Sequence, residues 1–173
     1  HILISSYFHL KGGHPMRSLL KVLFLALTLI TSMFTVSHAS LYPDYLGGDT
    51  NFVLVDGHMG RAWYIDRSSL NVQKYAPPQY IISVNTAVVE NADKGNIAIS
   101  NIKNLRFFYN SDLGKMYYDS IGNDSWVYIK PSSPWANYGS IRPAAEMAFA
   151  MAYHMKFYSL YDDDFYIRGI SAH

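Results

Sequence analysis

Few residues in this chain are of types that could do chemistry. Asp162, Asp163 and Asp164 run consecutively in "SLYDDDFY", shortly after His154. Clustered carboxylates are the ligands Ca²⁺ takes. Adjacent aspartates point in different directions, however, and no Asp-x-Asp-x-Asn/Asp-Gly spacing surrounds them. Carboxylates also oppose the dipole at a helix C-terminus. The triplet therefore reads as a solvated stop signal standing beyond a helix end, with no metal assigned to it.

His154 has no second histidine three or four residues away, so packing outweighs a ligand role. His58 shares a hairpin with Asp56 and Asp66, and a small secreted hydrolase using either carboxylate with His58 is the enzymatic alternative. Ser68-Ser69 and Ser132-Ser133 lack the Gly-x-Ser-x-Gly elbow and the Ser-x-x-Lys motif. "GGDTN" has neither the length nor the lysine of a phosphate loop. No catalytic residue and no cofactor is assigned, and Met147, Met151 and Met155 read as core.

The chain has 173 residues and its first methionine is Met16. From there it carries the parts of a secretory signal peptide in order: basic Arg17 and Lys21, apolar Val22 to Val36, then Ser37-His38-Ala39 with small residues at the −3 and −1 positions. The apolar run falls short of the roughly 20 residues a bilayer span needs. Residues 16–39 are thus expected to be removed after Ala39, leaving no permanent membrane span. Lys11-Gly12-Gly13 can be encoded by a purine run of the ribosome-binding type, so residues 1–15 are expected to be a gene-model overrun ahead of a bacterial start at Met16.

Residues 40–173 are then expected to form a single exported α+β domain, in the periplasm, at the cell surface or outside the cell. They hold all 13 acidic residues but 11 of the 14 Lys and Arg, a net charge of about −2 with histidine neutral. No basic patch dominates, which argues against nucleic acid as a partner. Cysteine is absent, which excludes a disulfide framework, a thiol nucleophile and a lipid-modified cysteine.

The elements that must position these residues follow from hydrophobic period. Short strands are predicted at 52–55 and 62–65 around the turn "DGHMG". "APPQ" reads as a break, because neither proline can donate to a ladder. Residues 80–90, rich in β-branched side chains, form the longest strand candidate. Strands at 105–110, 115–121 and 126–130 follow, joined by "SDLG" and "GNDS" into an antiparallel meander. The whole is a sheet of about five to six strands. From Pro143 the period becomes helical, and "PAAEMAFAMAYHMKFYSLY" predicts one C-terminal helix packed on one sheet face. A helix this apolar must be covered further, by the N-terminal segment, by loops or by a second subunit in a homodimer.

Turn lengths predict the meander's register. Pairing Asn110 with Lys115 sets Tyr109 opposite Met116, Phe108 opposite Tyr117 and Arg106 opposite Asp119 as an ion pair. Pairing Ile121 with Trp126 sets Tyr117 opposite Lys130. Alternation then collects Phe107, Tyr109, Met116, Tyr118, Val127 and Ile129 on the helix side. Arg106, Phe108, Tyr117, Trp126, Tyr128 and Lys130 share the other side, an aromatic and cationic composition common in contact surfaces.

Three stretches carry a resemblance: Tyr64–Ser69 ("YIDRSS"), Tyr109–Gly114 ("YNSDLG") and Trp126–Ser132 ("WVYIKPS"). Together they resemble motifs of the surface-adhesin protein E family of small secreted bacterial proteins, over roughly residues 52–135. The resemblance implies an antiparallel sheet flanked by a helix and a role in binding host or matrix proteins. Family members often carry a lipid-modified cysteine and a cysteine pair, and this chain has neither. The functional expectation is a non-enzymatic binding module for a protein or extracellular-matrix partner, acting through Arg106, Phe108, Tyr117, Trp126, Tyr128 and Lys130. An assembly partner contacting through the apolar helix is a further alternative.

Overall fold

Alternating apolar residues from Phe52 to Ile129 build six antiparallel strands in a computed structural model that describes residues 41–171. The expected signal peptide and the leader ahead of it, together with His173, lie outside the described residues. The strands are β1 (Phe52–His58), β2 (Arg61–Ala76), β3 (Gln79–Val89), β4 (Ile99–Asn110), β5 (Lys115–Asp119) and β6 (Val127–Ile129), and they lie in one sheet in chain order. Three helices follow: α1 (Trp135–Tyr138), α2 (Ile141–Tyr153) and α3 (Asp163–Ile170). The expected α+β architecture is therefore the observed one. Among the described residues no helix is long and apolar enough to cross a membrane.

Two strands are longer than their composition predicts. β2 continues through the polar run Asp66–Ala76 because β3 pairs with it almost throughout, from Ala62 opposite Val89 to Ala76 opposite Gln79. The prolines that read as a break are the turn of this hairpin, joined by a cis peptide bond. β4 likewise begins at Ile99, six residues early, because β3 supplies a partner for it. Pairing thus overrides weak strand propensity.

One sheet face carries the main core. Val53, Ile65, Ile82, Val84, Phe107, Tyr109, Met116 and Ile129 pack beneath α2, whose residues Pro143 to Met151 are all buried. The Tyr109 hydroxyl donates to the Ala145 carbonyl at 2.7 Å and so ties sheet to helix. The cover that α2 requires comes from the chain that follows it, the 154–162 loop and α3, where Phe165 and Tyr166 join the core. Val127, expected in this core, is 46% exposed at the start of the short strand β6, whose other end, Ile129, is fully buried. On the opposite face, Tyr42 and Leu46 of the N-terminal segment cover only the end formed by Leu54, Tyr64, Ala87 and Val89.

The predicted single C-terminal helix is two. α2 ends at Tyr153, where His154 takes a left-handed backbone (φ 54°) and its N–H bonds to the Ala150 carbonyl at 2.8 Å. Glu146, fully buried on α2, accepts the backbone N–H groups of Phe157 (3.3 Å) and Tyr158 (3.1 Å) and draws the departing chain back across the helix. The aspartate triplet is correspondingly reassigned. Asp162 caps the N-terminus of α3, accepting from the Phe165 N–H at 2.9 Å, and Asp163 and Asp164 occupy its first turn. Carboxylates favour that end of a helix dipole, and Lys156 pairs with Asp163. The run starts a helix and does not follow one.

Candidate functional site

The β4–β5 hairpin has the predicted register, from Arg106 opposite Asp119 to Asn110 opposite Lys115. The β5–β6 register is displaced by two residues. Tyr117 lies opposite Tyr128, not Lys130, and Tyr118 lies opposite Val127. The cause is Asp119, whose side chain is almost fully buried. Its Oδ1 accepts from the N–H groups of Ile121 (2.9 Å) and Gly122 (2.8 Å), and its Oδ2 from that of Asp124 (3.0 Å). These bonds gather residues 120–125 into a loop, extending the predicted turn 122–125 back over Ser120 and Ile121, where the sequence predicts strand. A shift of two preserves the side to which each residue points, so the facing assignment survives.

That face carries a continuous aromatic strip. The Phe108 ring stacks on Tyr117 (centroids 5.5 Å, 22° apart) and meets Trp126 at 5.7 Å, while Tyr117 meets Tyr128 at 5.5 Å. Cations cap both ends. The Arg106 guanidinium lies 5.0 Å from the Trp126 ring centroid and Lys115 Nζ lies 5.7 Å from that of Tyr128. Cations over aromatic faces are attracted by the ring quadrupole.

Arg106 is locked in place. Its Nη1 donates to Asp119 Oδ2 (3.0 Å) and Asp124 Oδ1 (2.8 Å), and its Nε to Gln73 Oε1 (3.0 Å). Burial acts to raise the Asp119 pKa, but the three backbone donors and Arg106 outweigh it and hold the carboxyl below its ordinary value. Five of the six expected residues thus share one network. Lys130 does not join it; it lies exposed beyond β6, its backbone N–H donating to Tyr138 Oη at 3.4 Å. Lys115 takes the terminal cation's place. Alternation along β5 puts Lys115 on the same side as Tyr117, which is the signal by which it was legible.

Of the residues of the enzymatic alternative, Asp56 and His58 both meet Trp135, while Asp66 is engaged elsewhere. Asp66 is taken up in its own turn, accepting from the Ser68 N–H (3.0 Å) and hydroxyl (2.6 Å). Asp56 Oδ2 accepts from Trp135 Nε1 at 2.6 Å, and the His58 imidazole leans on the Trp135 ring at 4.2 Å. Among the described residues, His58 hydrogen-bonds to neither aspartate. Ser69 Oγ donates to the Asp66 carbonyl and accepts from the Asn85 N–H, closing a β2 irregularity. His154 is exposed at a helix end, and no group of three or more potential ligands is placed to hold a metal among the described residues.

Sequence reasoning missed the surroundings of Trp135. Register shows Val55 as an extra residue, a bulge between the Leu54–Tyr64 and Asp56–Trp63 pairs. The bulge swings Asp56 and His58 onto the helix-covered face beside Trp63 and Trp135. Strict alternation would have placed both with Leu54 on the other side.

Comparison with protein-family models gives no match, and comparisons with curated proteins and with solved structures give none either.

Proposed function

We propose that this chain is an exported, non-enzymatic binding module, adhesin-like in action, that captures a protein or extracellular-matrix partner through the strip Arg106, Phe108, Trp126, Tyr117, Tyr128 and Lys115. The observation that carries the reading is the continuity of four rings that meet in series, on a part of the sheet that α2 does not cover. Aromatic and arginine side chains bury large areas at low entropic cost, so a few can dominate an interface. The ring network and the Gln73–Arg106–Asp119 bonds hold the strip in place before a partner arrives, which lowers the ordering cost of binding. Export rests on the signal-peptide pattern of residues 16–39. The adhesin-like character rests on the protein E-like motifs, whose turn Tyr109–Gly114 and strand end Trp126–Ser132 flank the strip.

A panel of immobilised extracellular-matrix proteins tests this against the wild-type chain and its Tyr117→Ala and Tyr128→Ala variants. Each variant is expected to lose about 1 kcal/mol or more of capture energy with little change in melting temperature. Phe107→Ala, on the core side, is expected to lose stability first, by about 3–5 kcal/mol. Capture that is equal in wild type and both tyrosine variants would remove the strip as the site.

A further inference from the structure

We propose that the groove beside Trp135, at the β1–β2 end of the helix-covered face, is a second site that binds a neutral saccharide. His58, Met59, Arg61, Trp63, Glu90 and Trp135 line a depression of about 480 Å³. Sites for small molecules fall at roughly 300–1,000 Å³. It shares no lining residue with the aromatic strip and is independent of the strip's partner.

The walls are built to be rigid. Trp135 opens the short helix α1, and its indole is pinned by Nε1 donating to Asp56 at 2.6 Å. The preceding loop is fastened to α2 by Arg142 Nη1, which donates to the carbonyls of Pro131 (3.1 Å) and Ser133 (2.6 Å). Trp63 projects from β2 and meets Trp135 at 6.2 Å with the two indoles inclined by 64°. The His58 ring lies against Trp135 at 4.2 Å, yet Trp135 stays 40% exposed, and Met59 in the same lining is 88% exposed. Because the walls are set before binding, a ligand bears little of the cost of ordering them.

The polar groups decide the ligand class. Arg61 Nε donates to Glu90 Oε2 at 2.8 Å, and Asp56 Oδ2 is already engaged by the Trp135 indole. Arg61 and Glu90 thus answer each other's charge, while Asp56, bonded to a neutral indole N–H, lies outside the groove's lining. An ionic ligand at these two residues would have to displace their pairing to find a counter-charge. A sugar ring needs no counter-charge. Its axial C–H bonds present weakly positive hydrogens to the negative π faces of the indoles. Its hydroxyls both donate and accept, which suits the remaining guanidinium N–H groups of Arg61 and the carboxylate of Glu90 side by side.

The chain contains three tryptophans, and two of them are in this groove. A titration of the ¹⁵N-labelled full chain with maltotriose, cellotriose and chitotriose, followed by the indole N–H resonances, therefore carries its own control. At least one saccharide is expected to shift the Trp63 and Trp135 signals saturably and equally at low and high salt, leaving Trp126 unmoved. Trp135→Ala and Arg61→Ala are each expected to weaken that saccharide about tenfold or more, the loss that removing one principal contact brings. Arg61 is exposed, so its variant keeps the fold and the urea midpoint of the wild type. The proposal is overturned if none of the three saccharides moves the two signals, or if both variants bind as the wild type does. It is equally overturned if tetramethylammonium binds the groove more tightly than any saccharide, which would make it a cation site.

Discussion

Replacing Asp119 tests the device that positions the aromatic strip. Its two oxygens divide the work: Oδ1 holds the Ile121 and Gly122 amides, and Oδ2 holds the Asp124 amide and Arg106. Asp119→Ala removes all four bonds. At about 1 kcal/mol net for each intramolecular hydrogen bond, the loss is about 3–4 kcal/mol, reduced where water reaches the exposed loop amides. Asp119→Asn is the finer probe. An amide oxygen at Oδ1 keeps the first pair, while the amide NH₂ at Oδ2 faces two donors. It is expected to cost about 2 kcal/mol. The pH dependence has a definite sign. The folded-state pKa of Asp119 is depressed, so its stabilisation is fully present above the unfolded value of about 3.9 and is lost as pH falls through the folded pKa. Urea denaturation from neutral pH into acid should therefore show wild type and Asp119→Asn separated at pH 7 and converging in acid. The Trp126 emission should report a loosened loop in the variant at neutral pH. Equal urea midpoints at pH 7, or a gap that widens in acid, would refute the assignment of Asp119 as the organiser of this loop.

Glu146 should show the opposite slope. Burial lifts its pKa against the pull of the Phe157 and Tyr158 amides, so its contribution to stability is greatest below the unfolded carboxylate value and declines as pH rises through the folded pKa. Glu146→Gln should flatten that decline in thermal melts, and an unchanged profile would place the titration elsewhere. Gly57→Ala should cost about 1–3 kcal/mol by overpacking, because an added Cβ would stand 2.1 Å from the Tyr42 ring; a neutral urea midpoint would show that Tyr42 does not pack there. Asp162→Ala should cost about 1 kcal/mol through loss of the α3 cap, more than Asp163→Ala, and the reverse order in denaturation midpoints would undo the capping assignment.

The meander, the facing of its side chains and the apolar helix above it are legible in the sequence because each depends on a local period. Alternation between Arg106 and Asn110, a four-residue turn and alternation from Lys115 onward determine which residues meet across β4 and β5, whatever else the chain does. The same locality explains why five residues of the strip are recoverable from the sequence, and why a two-residue slip in β5–β6 leaves them together. What the tertiary structure alone decides depends on single residues whose partners are distant in the chain or of no fixed period. The extra residue Val55 reverses the side to which Asp56 and His58 point, and it is visible only once β2 supplies the register. Asp119 converts the predicted strand end at Ser120 and Ile121 into loop by collecting amides, and Glu146 holds the Phe157 and Tyr158 amides beyond a helix that its composition would continue. Asp162 reads equally well as the tail of one helix or the cap of the next until the backbone direction at His154 is known. Side-chain-to-backbone bonds and bulges change chain direction without altering hydrophobic period, so the pattern that encodes the elements carries no record of them.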